Sequence, residues 1–585
     1  MKSIQTLALA LTFTLPSLSY GATFTVSDAA DNGPNTLRQA ITDANAAANG
    51  TGPDLIDFNI PGGGVQTITL LTVLPDITDP VIIDGYSQPG ASPNTQGPDQ
   101  GSNAVITVEL DGSNLSNLDG LTITAGGSTV RGLAIHGFGT AGIFGSGIAL
   151  ESNPGNFVEG CFLGTDASGT QALPNQTRGV FVTSDNNTIG GTTPAARNLI
   201  SGNNERGIFI IGGDDNLVVG NLIGTDITGG QTLGNGSEGI NIQTSSGNII
   251  GGPTPEERNI ISGNLSGGIE VFSNVGTPAS GTLIQGNFIG TDVTGSLDLG
   301  NEGFGVFFGG LIIADNLVGG TAAGEGNVIA FNASEGVLVS QGSGMGILGN
   351  SIHSNDALGI DLGAGANNDQ AAPVLTAAVL SGGLSVQGVL NAAPDTEFII
   401  EFFANSQCDG SGAGEGETFL GRTSVTTDGS GLANIEFGMT STFQFSAAAY
   451  SADEADGSAI ITVTRSLPPV PEGGVITATA TDPGNNTSEF SNCQTTSGSS
   501  EASVDFATSD GSAIAGVDYV ATSGTLTFAA GETSKDFEVE ILTDNLAEAD
   551  ETVDLGLSNP SAGSELADPS AVSYTHLTLP TILRV

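Results

Sequence analysis

The sequence predicts an all-β protein in which a parallel β-helix is followed by one or two antiparallel β-sandwich modules. Three observations lead to this fold class. A glycine followed by three mainly aliphatic residues recurs about every 30 residues along the centre of the chain. Two further short aliphatic stretches, closed by Gly or Asn, accompany many copies. Beyond about residue 370 this repeat is lost, and longer strands of alternating polar and apolar residues replace it.

The repeat has the pattern of stacked coils. A four-residue strand cannot bury its apolar side alone, so it must stack on the equivalent strands of neighbouring repeats. Three strands per repeat, with Gly and Asn at the corners because both tolerate positive φ, describe one coil of a β-helix. No long helical pattern interrupts them, which argues against alternating βαβ units. The nine copies are 120–123, 147–150, 179–182, 207–210, 239–242, 268–271, 305–308, 336–339 and 359–362.

The first residues predict export. Lys2, an apolar stretch from Ile4 to Leu15 and a small-residue segment ending at Gly21 are typical of a signal peptide, here residues 1–21. The apolar stretch is too short to span a bilayer, and no later stretch is long enough. We therefore expect a secreted or cell-surface protein without a transmembrane segment.

A short amphipathic helix is predicted soon after the signal peptide. Asn35 or Thr36 can serve as its N-cap. The helix would cover the open end of the first coil, whose unpaired strand edge needs a cap. Four apolar residues fall on one helical face: Leu37, Ala40, Ile41 and Ala44.

The formal net charge of −51 argues against nucleic acid and anionic lipid as partners. Such a field repels nucleic acid and anionic lipid and attracts divalent cations. The acids can also simply coat an extracellular surface, and both interpretations stay open. We expect an extracellular glycan or protein as partner, no nucleic acid, and a monomer.

The three cysteines are too few for a disulfide scaffold. Cys161 lies on a predicted coil and is expected to be buried. Cys408 and Cys493 flank one downstream module and can pair in an oxidising compartment.

Aspartates follow a Gly-Thr pair in several repeats, at Asp166, Asp226 and Asp292. Such a residue can order its own turn by accepting backbone N–H bonds. Alternatively, the aspartates could bind cations along one edge of the coils.

Several motifs resemble those of secreted bacterial right-handed parallel β-helix repeat proteins. Residues 37–41 are similar to the CSLREA-type motif near the N-terminus of such proteins, and residues 83–90 resemble the segment that follows it. The sequence Ile-Gly-Thr-Asp at 223–226 and 289–292 is similar too. The resemblance covers about residues 22–370. It implies a right-handed β-helix and secretion, and says little about function.

A later segment resembles a Calx-beta domain. The resemblance rests on residues 504–511, 515–519, 524–528 and 541–551. The first strand of that family resembles residues 442–466, which stand earlier in the chain, inside the preceding module. The closing strand and its acidic run have no counterpart.

These patterns divide the chain into five segments. Residues 1–21 are the signal peptide, and residues 22–370 are the β-helix with its cap. Residues 371–500 resemble an Ig-like β-sandwich, and residues 501–571 are a partial Calx-beta domain. Residues 572–585 resemble translated sequencing-adapter DNA, so we expect a non-native tail and a natural protein that continues differently.

The Calx-beta resemblance implies a Ca²⁺ site. Calcium takes six to eight oxygen ligands, and loops at one end of a sandwich can bring carboxylates together. The resemblance places ligands at Asp518, Asp544, Glu548 and Glu551, with Glu454 if the displaced strand docks. Where that family often has a ligand carboxylate, residue 543 is a threonine, so a weak site, a vacant site or a solvated acidic edge stays open.

The outward-facing column of the coil tetrads contains two acids that could act in catalysis, Glu270 and Asp361. Glu270 and Asp361 are expected three coils apart, about 14 Å at the strand spacing. Glycoside hydrolysis needs carboxyl groups about 5–9.5 Å apart, so this pair is excluded. The outward Phe181, Phe209 and Phe307 can pack beneath a loop or stack on sugar rings.

We therefore expect a secreted cell-surface or adhesion-type scaffold that binds calcium through its Calx-beta module, with no catalytic residues. The alternative is a polysaccharide lyase or glycoside hydrolase acting in a groove on the side of the β-helix. A third interpretation is a purely structural stalk.

Overall fold

The computed structural model describes residues 21–50, 52–139, 144–274, 276–408, 414–453, 456–543 and 550–577. The chain forms two compact units. The first contains residues 1–251, 255–265 and 292–294, and the second contains residues 252–254, 266–291 and 295–585. Within the described residues, no helix is both long and apolar enough to cross a membrane.

The first unit is built from coils that contribute strands to three parallel sheets, as the repeat predicts. In the third sheet, Val180 pairs in register with Ile148 on one side and Ile208 on the other. The first sheet contains Thr23–Val26, Asp54–Phe58, Val81–Asp84, Thr129–Arg131, Phe157–Glu159, Thr188–Gly190, Leu217–Val219 and Ile249–Gly251. The second contains Gln66–Thr69, Val108–Asp111, Ala134–His136, Phe162–Leu163, Leu199–Ile200, Leu222–Ile223 and Ile260–Ile261. The third contains Leu121–Ile123, Ser146–Leu150, Arg178–Val182, Arg206–Ile211 and Ile240–Gln243.

The second unit begins with further coils of the same kind. Val306 pairs in register with Ile269 and Val337, and Val337 with Ile360. Its sheets contain Leu283–Gln285, Leu317–Gly319 and Gly346–Leu348; Phe288–Ile289, Val328–Ala330 and Ser351–His353; and Ile269–Ser273, Val306–Gly310, Val337–Val339 and Ile360–Leu362. A small extra sheet pairs Ala279–Ser280 with Ile313–Ala314. One-turn 3₁₀ helices at Gly85–Ser87, Pro194–Ala196, Pro255–Glu257 and Ala366–Asp369 complete the secondary structure of the coil regions in the two units.

The predicted cap is the α-helix Leu37–Ala46. Thr36 is its N-cap, and the Thr36 hydroxyl oxygen accepts a hydrogen bond from the backbone N–H of Gln39. The helix packs on the strands Thr23–Val26 and Asp54–Phe58. The four residues of the predicted apolar face are buried: Leu37, Ala40, Ile41 and Ala44. The helix prediction is confirmed, whereas residues 1–20 of the predicted signal peptide lie outside the described residues.

One corner asparagine, Asn186, has the positive φ that the sequence predicts, at 55°, but the asparagines that adjoin the strands have a different role. Positive φ at one corner belongs to Gly220, with φ 73°. The following Asn221 donates its side-chain N–H to the amide oxygen of Asn259, and Asn198 donates to Asn221 in the same way, both at 2.9 Å. Such ladders satisfy buried polar groups from coil to coil. Their members, none with positive φ, are Asn156, Asn187, Asn216 and Asn248; Asn198, Asn221 and Asn259; Asn175, Asn203, Asn235 and Asn264; Asn287, Asn327 and Asn350; and Asn301, Asn332 and Asn355.

A first β-sandwich follows the coils. One sheet has the order Leu432–Met439, Gly383–Asn391, Val374–Ser381 and Ser497–Ser499. The other has the order Thr418–Thr426, Glu397–Asn405, Val475–Thr481 and Gln494–Thr495. Its buried core includes Val386, Phe398, Ile400, Phe402 and Ile476.

A second β-sandwich is built from two separate stretches of sequence, residues 441–465 and 502–577. The last strands of the first sandwich lie between these two stretches in the chain. One sheet has the order Ser534–Glu540, Ser458–Arg465, Ser441–Phe445 and Ser564–Leu566. The other has the order Ala449–Asp453, Ala571–Leu577, Glu551–Ser558, Ala502–Asp510 and Ser523–Phe528. The chain therefore enters the second sandwich at residue 441, returns to the first, and enters the second again at residue 502.

Two predicted boundaries differ from this arrangement. Residues 442–466 were predicted inside the Ig-like module, but Phe443 and Ile461 are buried in the core of the second sandwich. The sequence predicts a non-native tail over residues 572–585, yet the strand Ala571–Leu577 pairs with Glu551–Ser558 and buries Tyr574. In both cases alternating apolar residues contribute to the buried core of the second sandwich.

The cysteines behave as predicted. Cys408 and Cys493 form a disulfide with a Cα–Cα distance of 6.0 Å. Cys161 is a free, fully buried thiol, and burial raises its pKa to about 12.

Candidate functional site

The segments that carry the predicted calcium ligands meet at one end of the second sandwich. The backbone N–H of Leu542 donates to the carbonyl oxygen of Asp518 at 2.9 Å. Next to it, the N–H of Ile541 donates to the carbonyl oxygen of Gly457 at 3.0 Å. Residues 457, 518 and 541–542 are thus within one backbone hydrogen-bond network, although they come from three separate stretches of sequence.

The strand Glu551–Ser558 begins at the same end. The backbone N–H of Thr552 donates to the hydroxyl of Ser512 at 2.8 Å, and the Thr552 carbonyl oxygen accepts the N–H of Ala513 at 3.0 Å. The strand Ala449–Asp453 runs parallel to Ala571–Leu577, which in turn pairs with Glu551–Ser558. Asp453, the residue before Glu454, therefore ends its strand on the side where Glu551 begins.

Asp518 is the predicted ligand with the best-defined surroundings. Its side chain is almost buried, and its Oδ2 accepts the N–H of Ile514 at 2.7 Å. This bond fixes the carboxylate on the loop between two strands. Within the described residues, the other oxygen, Oδ1, has no hydrogen-bond donor, so it is available to a cation.

Sequence reasoning did not single out Asp510, which lies beside Asp518. Its Oδ1 accepts hydrogen bonds from the hydroxyl of Tyr519 at 2.8 Å and from the N–H of Ala515 at 2.9 Å. Burial, with Asp510 acting in the same direction, raises the pKa of Tyr519 to about 12. The Asp-Gly pair after a strand was the available signal, but it indicates a turn as readily as a site.

Further acids border the same end. Burial raises the pKa of Tyr574 to about 12, and the carboxylates of Asp456 and Asp453 act in the same direction. The Asp456 carboxylate also accepts the N–H of Asp453 at 3.0 Å. The effect of these two carboxylates on the buried Tyr574 hydroxyl shows that several negative charges lie close together at this end of the sheet.

The structure describes two of the five predicted ligands, Asp518 and Glu551. Asp544, Glu548 and Glu454 lie outside the described residues. Among the residues that are described, no group of three or more His, Cys, Asp or Glu side chains could hold a metal ion.

The repeated aspartates of the coils order their own turns. Asp166 Oδ1 accepts the backbone N–H groups of Thr170 and Gln171 at 3.3 and 3.2 Å, and Oδ2 accepts the hydroxyl of Ser168 at 2.7 Å. Asp226 accepts equivalent bonds from its own turn. Of the two interpretations offered by the sequence, this geometry favours the turn.

An aromatic and basic cluster lies on the outward side of the third sheet in the first unit. The rings of Phe181 and Phe209 are stacked, with centroids 5.9 Å apart and planes inclined by 24°. The guanidinium of Arg178 lies 4.6 Å from the Phe181 centroid and 4.7 Å from that of Phe209. Arg206 lies 4.9 Å from the Phe209 centroid. These rings are thus covered partly by arginines, an arrangement that sequence reasoning missed because it considered only one residue of each strand.

The outward acids of the second unit are separated as predicted. In-register pairing places Phe307 and Leu338 between Glu270 and Asp361, which is a distance of three coils. At the usual strand spacing this is about 14 Å. Burial, with Glu335 nearby, raises the pKa of Asp361. These two residues cannot act as a paired acid and nucleophile on one glycosidic bond.

Comparison with known proteins relates the second sandwich to one family. Residues 439–484 and 492–579 match the Calx-beta domain family. The apo-form Calx CBD1 domain is 25% identical over 24% of this chain and 100% of its own, with a TM-score of 0.19. The calcium binding domain CBD12 of CALX1.1 is 27% identical over 23% of this chain and 44% of its own, with a TM-score of 0.18.

Other solved structures align over longer stretches at lower identity. The A-module of the Azotobacter vinelandii mannuronan C-5 epimerase AlgE4 is 12% identical over 58% of this chain and 94% of its own, with a TM-score of 0.31. The enzymatically active domain of bacteriophage CBA120 tailspike protein 2 is 10% identical over 94% and 82%, with a TM-score of 0.27. No curated protein matches the chain. It is the second sandwich, including the strands inserted at residues 441–465, that matches the Calx-beta domain family.

Proposed function

We propose that this protein is a secreted cell-surface or adhesion-type scaffold whose second sandwich binds Ca²⁺, with no catalysis. The observation that supports the calcium site is the meeting of residues 457, 518, 541–542 and 551–552 at one end of that sandwich. Asp518 and Glu551 are among these residues, and Glu454, Asp544 and Glu548 lie within three positions of one of them in the sequence. The match to the Calx-beta domain family supports the same site.

The described ligands suit a hard cation. Asp518 and Glu551 offer carboxylate oxygens, the donors that Ca²⁺ prefers. The backbone hydrogen bond from Ile514 holds one Asp518 oxygen and leaves the other available. Asp544, Glu548 and Glu454, which lie outside the described residues, would add three further carboxylates. A bound ion would supply positive charge at the end of the sandwich where Tyr574 lies near the carboxylates of Asp453 and Asp456.

The expected consequence is a calcium-dependent gain in stability. A ligand that binds only the folded state at 100 times its Kd adds about 2.7 kcal/mol. We expect the thermal unfolding transition of the second sandwich to rise when Ca²⁺ is added to the chelated full-length protein. Mg²⁺ should raise it less, because it demands near-ideal octahedral geometry and gives up its water ligands reluctantly.

Variants localise the effect. Asp518→Asn and Glu551→Gln should each reduce the calcium-dependent shift. Asp505→Asn is the matched control, because this residue lies five positions before Asp510 on the strand Ala502–Asp510 and bonds instead to Thr525 and Asn559. A full-size shift in both ligand variants would contradict the site. Release of reducing ends or unsaturated uronate from acidic polysaccharides would contradict the non-catalytic role and favour the enzyme alternative.

A further inference from the structure

The basic residues of this acidic chain are almost all engaged. Nine of them lie in the part of the chain that the structure describes, and six form ion pairs with carboxylates: Arg38, Arg131, Arg206, Arg258, Arg422 and Lys535. Arg197 and Arg465 donate to backbone carbonyls. The side chain of Arg178 makes neither an ion pair nor a hydrogen bond with any described residue, and its Nε is buried without an acceptor.

The position of Arg178 is as unusual as its lack of a partner. It is half-exposed on the outward side of the coils, and its guanidinium lies over both phenyl rings of the stacked Phe181–Phe209 pair. In register with it, Arg206 covers the Phe209 ring while paired with Glu205 at 3.4 Å and Glu238 at 3.2 Å. The charge of Arg206 is thus already balanced, and the charge of Arg178 is not.

We propose that Arg178, together with the partly exposed Phe181, forms a binding site for the carboxylate-bearing sugar of an acidic glycan. A guanidinium with free N–H groups binds a carboxylate through two parallel hydrogen bonds. The Phe181 ring offers an apolar surface to the C–H groups of a pyranose ring, and the buried Phe209 ring packs against it. An acidic glycan would be the partner of the proposed scaffold. This proposal rests on the scaffold role and does not depend on calcium binding.

One accessible ring beside a guanidinium favours a single sugar unit. Phe181 is partly exposed, whereas Phe209 is only 6% exposed. Their in-register neighbours Ala149 and Asn241 are buried, so Phe181 is the aromatic contact that a ligand can reach in this row. A single phenyl ring is comparable in size with one pyranose ring.

The carboxylates near Arg178 do not form ion pairs with its guanidinium, so they do not neutralise its positive charge. Burial lowers the pKa of Arg178, and Glu205 and Asp119 oppose this change, which places both carboxylates nearby but beyond ion-pair distance. Asp119 accepts the N–H of Ser146 at 2.6 Å, and Glu205 is shared with Arg206. Both can accept hydrogen bonds from sugar hydroxyls. The ionic strength of an extracellular medium also screens the remaining acids of the chain beyond about 8 Å.

Calorimetric titration of the full chain with oligomers of galacturonate, mannuronate and glucuronate tests the site. At least one oligomer should bind, and its neutral methyl ester should bind about tenfold more weakly or not at all. Arg178→Gln should weaken binding about tenfold or more, and Phe181→Ala about fivefold. Binding should persist with a chelator present, which separates this site from the calcium site.

Lys535→Gln is the matched control, because it removes one positive charge from the second sandwich and should leave glycan affinity unchanged. Melting curves of each variant show whether a loss of affinity is a loss of folding, and Arg178→Lys, which keeps the charge without the bidentate geometry, should recover only part of the affinity. The proposal is overturned if no uronate oligomer binds, if folded Arg178→Gln binds equally well, or if ester and acid bind alike. Polyglutamate binding with the same Arg178 dependence and affinity would overturn the assignment to a sugar.

Discussion

Glu401 is a fully buried carboxylate in the strand Glu397–Asn405 of the first sandwich. Its Oε2 accepts the backbone N–H of Gly349 at 2.9 Å, and its Oε1 lies 3.3 Å from Arg422 Nη2. Both contacts favour the charged form, but burial disfavours it more and raises the pKa to about 7. The folded protein therefore holds a proton on Glu401 at pH values where the unfolded chain has lost it.

This difference predicts a pH-dependent stability. Because the folded-state pKa is about 7 and the ordinary value is 4.5, the stabilisation is complete below pH 4.5 and disappears as the pH rises to 7. The loss should approach about 3 kcal/mol. Glu401→Gln should remove it, since the amide keeps an acceptor for Gly349 and carries no charge. Amide hydrogen exchange in this strand at several pH values would measure the effect.

Glu397→Gln is the matched control for that experiment. It makes the same change of charge on the same strand, but Glu397 is exposed. The pH dependence should survive in this variant. If Glu401→Gln kept the wild-type pH dependence, the raised pKa of Glu401 would be wrong.

Single residues also mark the limit of sequence reasoning at the candidate site. Asp518 and Glu551 could be selected because a family resemblance named their positions. Arg178 could not be selected in this way. It stands out because its guanidinium has no ion-pair partner among the described residues, and a local sequence pattern does not show whether an arginine is paired. Asp510 was passed over for a related reason: a turn and a cation-facing loop use the same residue types.

At the scale of elements, the positions of the strands could be predicted from the sequence, whereas the side-chain hydrogen bonds at the coil corners could not. The apolar tetrads pair in register within each unit because only that register keeps every aliphatic side chain inside. The cap helix was predictable because its four apolar positions and its N-cap lie within ten residues. The asparagine ladders link residues 23 to 40 positions apart, as between Asn198 and Asn221 and between Asn287 and Asn327, so no local rule reveals them.

The ladders predict a large cost for losing one member. The side chain of Asn216 accepts hydrogen bonds from the backbone and side chain of Asn187 at 2.9 and 2.8 Å, and donates its N–H to Asn248 Oδ1 at 3.2 Å. Asn216→Ala leaves these buried groups without partners, so we expect a loss of about 2 kcal/mol or more in the free energy of unfolding. Urea unfolding followed by circular dichroism measures it.

An exposed asparagine provides the comparison. Asn204 donates to Gln176 at 3.2 Å on the surface, and Asn204→Ala should change stability by less than about 0.5 kcal/mol. Equal losses in the free energy of unfolding for the two substitutions would show that the buried ladder hydrogen bonds contribute no more to stability than an exposed one.

The disulfide is an element whose contribution can be isolated. Cys408 and Cys493 are 85 positions apart, so the bond restricts a long loop of the unfolded chain. The Cys408→Ser/Cys493→Ser double variant should lose about 2–5 kcal/mol in the first sandwich. Reductant should reproduce this loss in the wild type and do nothing to the double variant, since Cys161 is a buried thiol. A further loss in the double variant would mean that reductant acts elsewhere.

At the scale of the whole molecule, the interleaving of the two sandwiches was the least predictable feature. The residues of segment 442–466 could be recognised as Calx-beta-like, but chain order placed them in the preceding module. A single sequence does not show in which of two neighbouring cores the apolar residues of a strand will be buried. The structure shows this for segment 442–466, because Phe443, Phe445, Ile461 and Val463 are buried in the core of the second sandwich.

This arrangement predicts how the C-terminal region can be divided. A fragment of residues 501–577 lacks Ser441–Phe445 and Ser458–Arg465, the two central strands of one sheet. Without them the opposite sheet exposes its apolar face, so this fragment should show no cooperative unfolding transition. A fragment of residues 374–577, which contains both sandwiches, should unfold cooperatively in calorimetry. A cooperative transition in the shorter fragment would mean that the inserted strands are dispensable, and that the second sandwich is specified by residues 501–577 alone.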